Sequence, residues 1–436
     1  MWQLLFHPVF GSLFAAQIVA LTGTGLLTVA LGLLAYDLAG AAAGAVLGTA
    51  YAIKMIAYVG LSPIAGALVS ALPRRPVLIA ADLVRAGVAL SLPFITEVWQ
   101  IYLAIFLLQS ASATFTPTFQ ATIPDVLADE DDYSRALSLS RLAYDLENLI
   151  SPALAGLLLL VMSYHWLFGG TVVGFVISAL LIWSVTLPHR QPTKDRSFRD
   201  RLTRGVRIYL ATPRLRGLLA LTLTAAAASA FVIVNTVVVV RSGFGGTDGD
   251  VALALAAFGA GSMLAALALP ALLRRLSDRP VMMTGAALLT GLMGLQAFVT
   301  VTWPVFLLFW ALTGLAYSAT LTPQGRLLRR SAHSEDRQSV FTAQFALSHV
   351  CWLVTYPLAG SAMTAWGMGP TLGLLAAVGG TGLIAALRFW PEGDPIVVTH
   401  THEDLPDDHP HLQGGSHRHA HPLVIDDEHH AWPTNG

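Results

Sequence analysis

The chain is 436 residues long, 55% hydrophobic and 12% charged, with a net charge of −1. Ordinary soluble domains carry about 25% charged residues, so a soluble fold of this composition would expose large apolar patches. The single cysteine, Cys351, excludes an intrachain disulfide, and nucleic acid is not an expected partner.

A bilayer is crossed by about 20 mostly apolar helical residues. Such stretches run at 9–36, 44–70, 76–95, 99–121, 137–161, 165–187, 217–240, 250–272, 280–300, 303–324, 338–363 and 369–390. The sequence therefore predicts an all-α integral membrane protein with twelve transmembrane helices. No basic n-region precedes the first span, so no cleavable signal is expected. No G-x-x-x-x-G-K-[ST] motif occurs, so ATP-driven pumping by this chain is not expected, and the reading is of a protein that is not an enzyme.

Arginines mark alternate connections. Arg74 and Arg75 follow the second span and Arg135 the fourth, and the run from Arg190 to Arg216 follows the sixth. Arg274, Arg275 and Arg279 follow the eighth; Arg326, Arg329, Arg330 and Arg337 follow the tenth. On the opposite side essentially only Arg241 appears. The positive-inside rule then places both termini in the cytoplasm of a multi-pass protein of the plasma (bacterial inner) membrane.

Polar residues gather in spans 1, 4, 7 and 10, among them Gln17, Thr24, Gln109, Thr116, Gln120, Asn235, Tyr317 and Gln324. Hydroxyls and amides at membrane depth face a wet cavity or bond a neighbouring helix.

Ionisable residues within spans cost at least about 2.5–3.5 kcal/mol each at the bilayer centre, so each needs a reason. Lys54 reads as a counter-ion or charged gate. Asp82 and Arg85, three apart, form an intrahelical pair. Asp145 lies four residues after Arg141, whereas Glu147 has no such partner; the two carboxylates point about 200° apart on a helix. His349 is either a satisfied buried histidine or a ligand. Cys351 faces elsewhere and reads as core.

The chain repeats weakly at an offset of about 205 residues. Arg75-Pro76-Val77 recurs as Arg279-Pro280-Val281, Pro117 as Pro323, and Ser151-Pro152 through Gly156 as Tyr356-Pro357 through Gly360. The offset brings His349 into register with Asp145. Two parallel six-helix halves joined by a basic linker resemble the major facilitator superfamily. The expected division is 1–187, a linker at 188–216, a second half at 217–390 and a disordered tail at 391–436.

Particular residues sharpen the resemblance. Gly66 to Arg75 is similar to the superfamily's loop motif, with Ser70 where an aspartate and Ala71 where an arginine would stand. Asp82-Leu-Val-Arg85 and Ile123-Pro-Asp125 resemble the drug- and metal-exporter branch. The segments Arg141 to Pro152 and Phe345 to Gly360 resemble the nickel-resistance exporters, which tend to end in a histidine-rich tail.

This chain holds nine of its 14 histidines in such a tail: His400, His402, His409, His411, His417, His419, His421, His429 and His430. In an extended chain, residues two apart point the same way, about 6.6 Å apart. Each H-x-H pair thus offers two imidazoles to one ion.

The expectation is a monomeric proton-coupled exporter of a divalent cation, nickel first and cobalt second, with no resident cofactor. Asp145, Glu147, His349 and Lys54 would handle transport and proton coupling, and Arg74, Arg75, Asp82 and Arg85 would brace the loop. Two rivals stay open. One is efflux of a drug or other small organic molecule on the same fold. The other is a membrane metal sensor or buffer that transports nothing.

Overall fold

The computed structural model describes residues 2–39, 43–69, 72–127, 129–159, 161–188, 197–246, 248–393, 397–401, 411–412 and 417–432. The first half contains α1 (Pro8–Ala39), α2 (Ala43–Ile56), α3 (Ser62–Val69), α4 (Arg74–Ser91), α5 (Val98–Val126), α6 (Glu130–Leu159) and α7 (His165–Trp183). After the connecting helix α8 (Phe198–Ala211) come α9 (Pro213–Val238), α10 (Asp248–Leu272), α11 (Asp278–Gln296), α12 (Trp303–Leu321), α13 (Gln324–Arg330), α14 (Arg337–Trp366) and α15 (Met368–Phe389). Counting α2–α3 and α12–α13 as one crossing each, this is an all-α membrane fold of twelve segments in two six-helix halves.

Among the described residues, eight helices are long and apolar enough to cross a bilayer by length and composition. The remaining segments, α2–α3, α6, α11 and α14, are shorter or more polar. Helix α6 begins before the expected 137, because Asp129 accepts from the Asp132 amide (2.9 Å) and acidic Glu130, Asp131 and Asp132 favour a first turn.

Each half packs around its own apolar core. Helix α1 lies on α6 and α7, and α4 on α5 and α7; α9 lies on α14 and α15, and α10 on α12. The α10–α12 crossing requires glycine. A Cβ on Gly261 would overlap the Ala311 carbonyl, and one on Gly314 would overlap the Phe258 carbonyl. Leu103, Phe106, Leu264, Leu308 and Ile384 are exposed on the outside of the bundle, as lipid-facing positions must be.

The second span is not one continuous helix. A π turn at Ala57–Leu61, which contains Gly60 and is followed by Pro63, separates α2 from α3, and such turns gather at functional sites. The tenth expected span divides at Pro323 into α12 and α13. The basic linker is also partly folded, since α8 starts on Ser197, whose Oγ accepts from the Asp200 amide.

The tail departs most from expectation. Strands β1 (Val397–Thr401) and β2 (Arg418–Pro422) pair antiparallel, with His400 opposite His419 and Val398 opposite His421. Leu412, Leu423 and Ile425 are buried. Composition suggested disorder because the tail has no apolar periodicity of its own; of these apolar side chains, Ile425 packs in one cluster with Leu328, Val340 and Phe341 of the helical body.

Candidate functional site: a central chamber and a histidine ribbon

Two chambers of about 430 and 830 Å³ share lining residues between the halves. The π turn presents Tyr58 to both of them. Its hydroxyl donates to Gln109 Oε1 (2.7 Å), and its ring meets that of His349 edge-on at 4.7 Å. The Lys54 ammonium lies 5.6 Å from the same ring centroid. His349 Nδ1 donates to the Phe345 carbonyl (2.6 Å), which leaves Nε2 as an acceptor. Trp352 donates its indole N–H to Ser229 Oγ (3.0 Å). Lys54 and His349 are thus brought together around an aromatic residue that sequence reasoning missed. Its signal was Gly60-x-x-Pro63 inside an apolar run.

Asp145 and Glu147 lie on α6, and their side chains fall outside the described residues, as does that of Arg141. Asp82 and Arg85 form the expected ion pair. Ser178 also donates to Asp82 Oδ2 (2.7 Å), and the Arg85 guanidinium lies 4.1 Å from the Phe115 ring centroid. Cys351 is buried, as expected.

At the arginine-rich end, ion pairs tie the halves together. Asp125, at the end of α5, takes both Arg74 of its own half and Arg337 of the other. It supplies an acid that Ser70 lacks. Arg75 donates to the Trp183 carbonyl. Across the halves, Glu130 meets Arg326 (3.1 Å) and Arg329 (3.2 Å), and Gln338 donates to Thr118 (3.1 Å). No short-range spacing points to these pairings, because the partners are about 200 residues apart in the chain.

The tail forms a second centre. Period-two geometry puts His419 and His421 on one face of β2, with His400 opposite on β1. Nitrogens of His400, His411, His419 and His421 all lie within 4.8 Å of one another. His411 Nε2 is 3.1 Å from His419 Nε2 and 3.2 Å from His421 Nε2. His429 joins through its Nε2, 3.1 Å from that of His400.

Several of the Nδ1 atoms are engaged on the outside of the group. His411 Nδ1 meets Glu428 (2.8 Å) and His429 Nδ1 meets Asp426 (2.9 Å). His400 Nδ1 meets the Val398 carbonyl (3.0 Å) and His421 Nδ1 the Pro422 carbonyl (2.9 Å). Burial, then the neighbouring imidazoles, pushes the His400 pKa down. Burial likewise lowers that of His411, against the pull of Glu428. The group does not include His417 or His430, and His402 and His409 lie outside the described residues.

The ribbon is docked on the basic end of the bundle. Arg204 of α8 binds Asp336, which precedes α14, and donates to Asp427 (2.6 Å). His333 lies 3.3 Å from Asp426. Burial alone would raise the Asp426 carboxyl; hydrogen bonds from His333, His429 and two backbone amides outweigh it and hold it far below the usual carboxylate range. Ile425 joins the apolar cluster of Leu328, Val340 and Phe341, and the Trp432 ring lies 5.0 Å from the Arg214 guanidinium.

Two six-helix halves around a chamber, joined at one end by ion pairs between the halves, define a membrane transporter of the major facilitator fold. The chain belongs to the transmembrane secretion effector family of that superfamily, whose sequence profile matches residues 1–326. It is 26% identical over 192 residues to the macrolide efflux protein A of Streptococcus pyogenes, a match covering 43% of this chain and 46% of that one. It is 26% identical over 136 residues to the protein of the same name from Enterococcus faecalis, covering 30% of this chain and 42% of that protein. The chain thus spans less than half the length of these curated relatives. By fold it is similar to a human organic anion transporter (TM-score 0.74, 13% identity, 87% of this chain and 99% of that one). It is also similar to a bacterial homologue of the iron transporter ferroportin in an outward-facing state (TM-score 0.72, 15% identity, 87% and 98%).

Proposed function

We propose that the protein is a secondary active exporter of a small organic molecule. In this reading it sits in a bacterial inner membrane as a monomer, with both termini in the cytoplasm, and couples export to proton entry. Residues 1–187 and 217–390 are the two bodies that rock about the chamber.

The chamber wall carries the substrate reading. Tyr58, Trp352, Tyr356 and Phe119 offer aromatic faces, Gln17 and Gln120 offer amides, and the charged groups are Lys54 and Arg85. Among the described lining residues there is no carboxylate. Arg85 is paired with Asp82, so a bare divalent cation would meet the Lys54 ammonium there, whereas an amphipathic molecule would meet apolar surface with a few placed polar groups. The macrolide efflux relatives support the same substrate class. Asp145, Glu147 and His349 are the groups proposed to exchange protons.

Export of nickel or cobalt is the second reading, and the histidine ribbon at the basic end is the observation that favours it. One experiment separates the two. Everted vesicles are given a proton gradient, and uptake of a labelled macrolide, ethidium, Ni(II), Co(II) and Zn(II) is measured. Proton-driven uptake of the organic probes without metal uptake is the expected result. Metal uptake lost in Glu147→Gln, with no movement of the organic probes, would replace the first reading by the second.

A further inference from the structure

We propose that the folded tail is a metal-operated latch. His400, His411, His419, His421 and His429 bind one divalent transition-metal ion through Nε2, and the bound ribbon braces the closed basic end of the transporter. The metal acts here as an effector, which goes beyond the export function proposed above.

The binding half of the proposal stands on which nitrogens face which way. A ring whose Nδ1–H is held by an oxygen keeps its Nε2 lone pair free for a metal, and carboxylate partners at Nδ1 strengthen that ligand. Glu428 and Asp426 stand in those positions behind His411 and His429. The Nε2 atoms in front approach one another at 3.1–3.2 Å. Lone pairs in such contact repel unless a proton or a cation lies among them. Metal–nitrogen bonds of about 2.0–2.1 Å put ligand nitrogens about 3.3 Å apart in a tetrahedron and about 3.0 Å apart in an octahedron. The three closest pairs fall between these values, and the ligand atoms of His400, His411, His419 and His421 all lie within 4.8 Å of one another. Imidazole ligands suit nickel, zinc, copper and iron.

The latch half stands on what the ribbon touches. Asp426 holds His429 with Oδ1 and His333 with Oδ2. The next residue, Asp427, shares Arg204 with Asp336. Asp336 directly precedes Arg337, which crosses to Asp125 in the other half. Ile425 packs in the same cluster as Leu328 and Phe341, and both of those line the chamber. A metal ion that fixes His429 therefore fixes the Asp426–Asp427 corner under the floor of the chamber and beside an interhalf ion pair.

The test uses the full-length protein in nanodiscs and reads neither activity nor flux. Calorimetry with Ni(II), Co(II) and Zn(II) is expected to show one site per chain, weakened at least 100-fold in the double variant His411→Ala/His421→Ala. In a Cys351→Ala background, Gln324→Cys reports opening of the basic end through its rate of maleimide labelling. Metal is expected to slow that labelling several-fold in the parent. In Asp427→Asn the metal still binds, and the slowing is lost. Unchanged affinity in the double variant, or parent labelling indifferent to bound metal, would overturn the proposal. A failure of the organic probes to move in vesicles would overturn only the export reading, because neither measurement here depends on it.

Discussion

The Asp82–Arg85 pair shows how one residue can be both anticipated and re-explained by its surroundings. Its spacing implied an ion pair, and the structure adds Ser178 and two aromatic rings around it. Removing one member of a buried pair strands the other and costs about 3–5 kcal/mol. Asp82→Ala is therefore expected to lower the thermal midpoint of the detergent-solubilised protein by several degrees. His349 is a different case, since it lies in the chamber wall with Nδ1 committed to the Phe345 carbonyl. His349→Phe keeps a ring against Tyr58 and removes Nε2. Export is expected to fall at least tenfold at unchanged membrane expression, and an unaltered rate would reduce His349 to packing.

At the scale of elements, small residues and breaks decide how helices meet. Gly314→Val would drive a side chain into the Phe258 backbone at the α10–α12 crossing. Overpacking of this kind costs about 1–3 kcal/mol, so a lower melting temperature is expected. Gly60→Ala is the control, because a Cβ there meets nothing within 4 Å. The twelve apolar runs were legible because each must supply its own length of hydrocarbon-facing helix. The π turn was not, since a Gly and a Pro inside an apolar run look the same whether the helix kinks, bulges or continues. The repeat misled in the same way. Pro117 stays inside α5, whereas its counterpart Pro323 separates α12 from α13.

For the whole molecule, the ion pairs between the halves gather at the arginine-rich end. Asp125 is the point where Arg74 and Arg337 converge. Asp125→Asn weakens both contacts, and faster maleimide labelling of Gln324→Cys is the expected outcome. Deleting residues 400–436 removes the ribbon and keeps the chamber. That truncation is expected to retain export of the organic probe while losing its response to metal, measured in the same vesicles. Loss of all export at normal expression would make the tail part of the transport path.

The sequence by itself determined the membrane class, the two-half plan, the Asp82–Arg85 pair and the clustering of imidazoles in the tail. These follow from composition, from short-range spacing and from side-chain chemistry, all of which are local. Only the tertiary structure decided that Lys54 and His349 share Tyr58, that Asp125 joins Arg337, and that distant histidines converge on one point. Those groups are separated by tens to hundreds of residues, and no periodicity constrains contacts over that range. The tail makes the reason plain. Its disorder was inferred from a lack of apolar pattern, yet Ile425 is buried against the body, and surface supplied by other elements cannot be read from a segment alone.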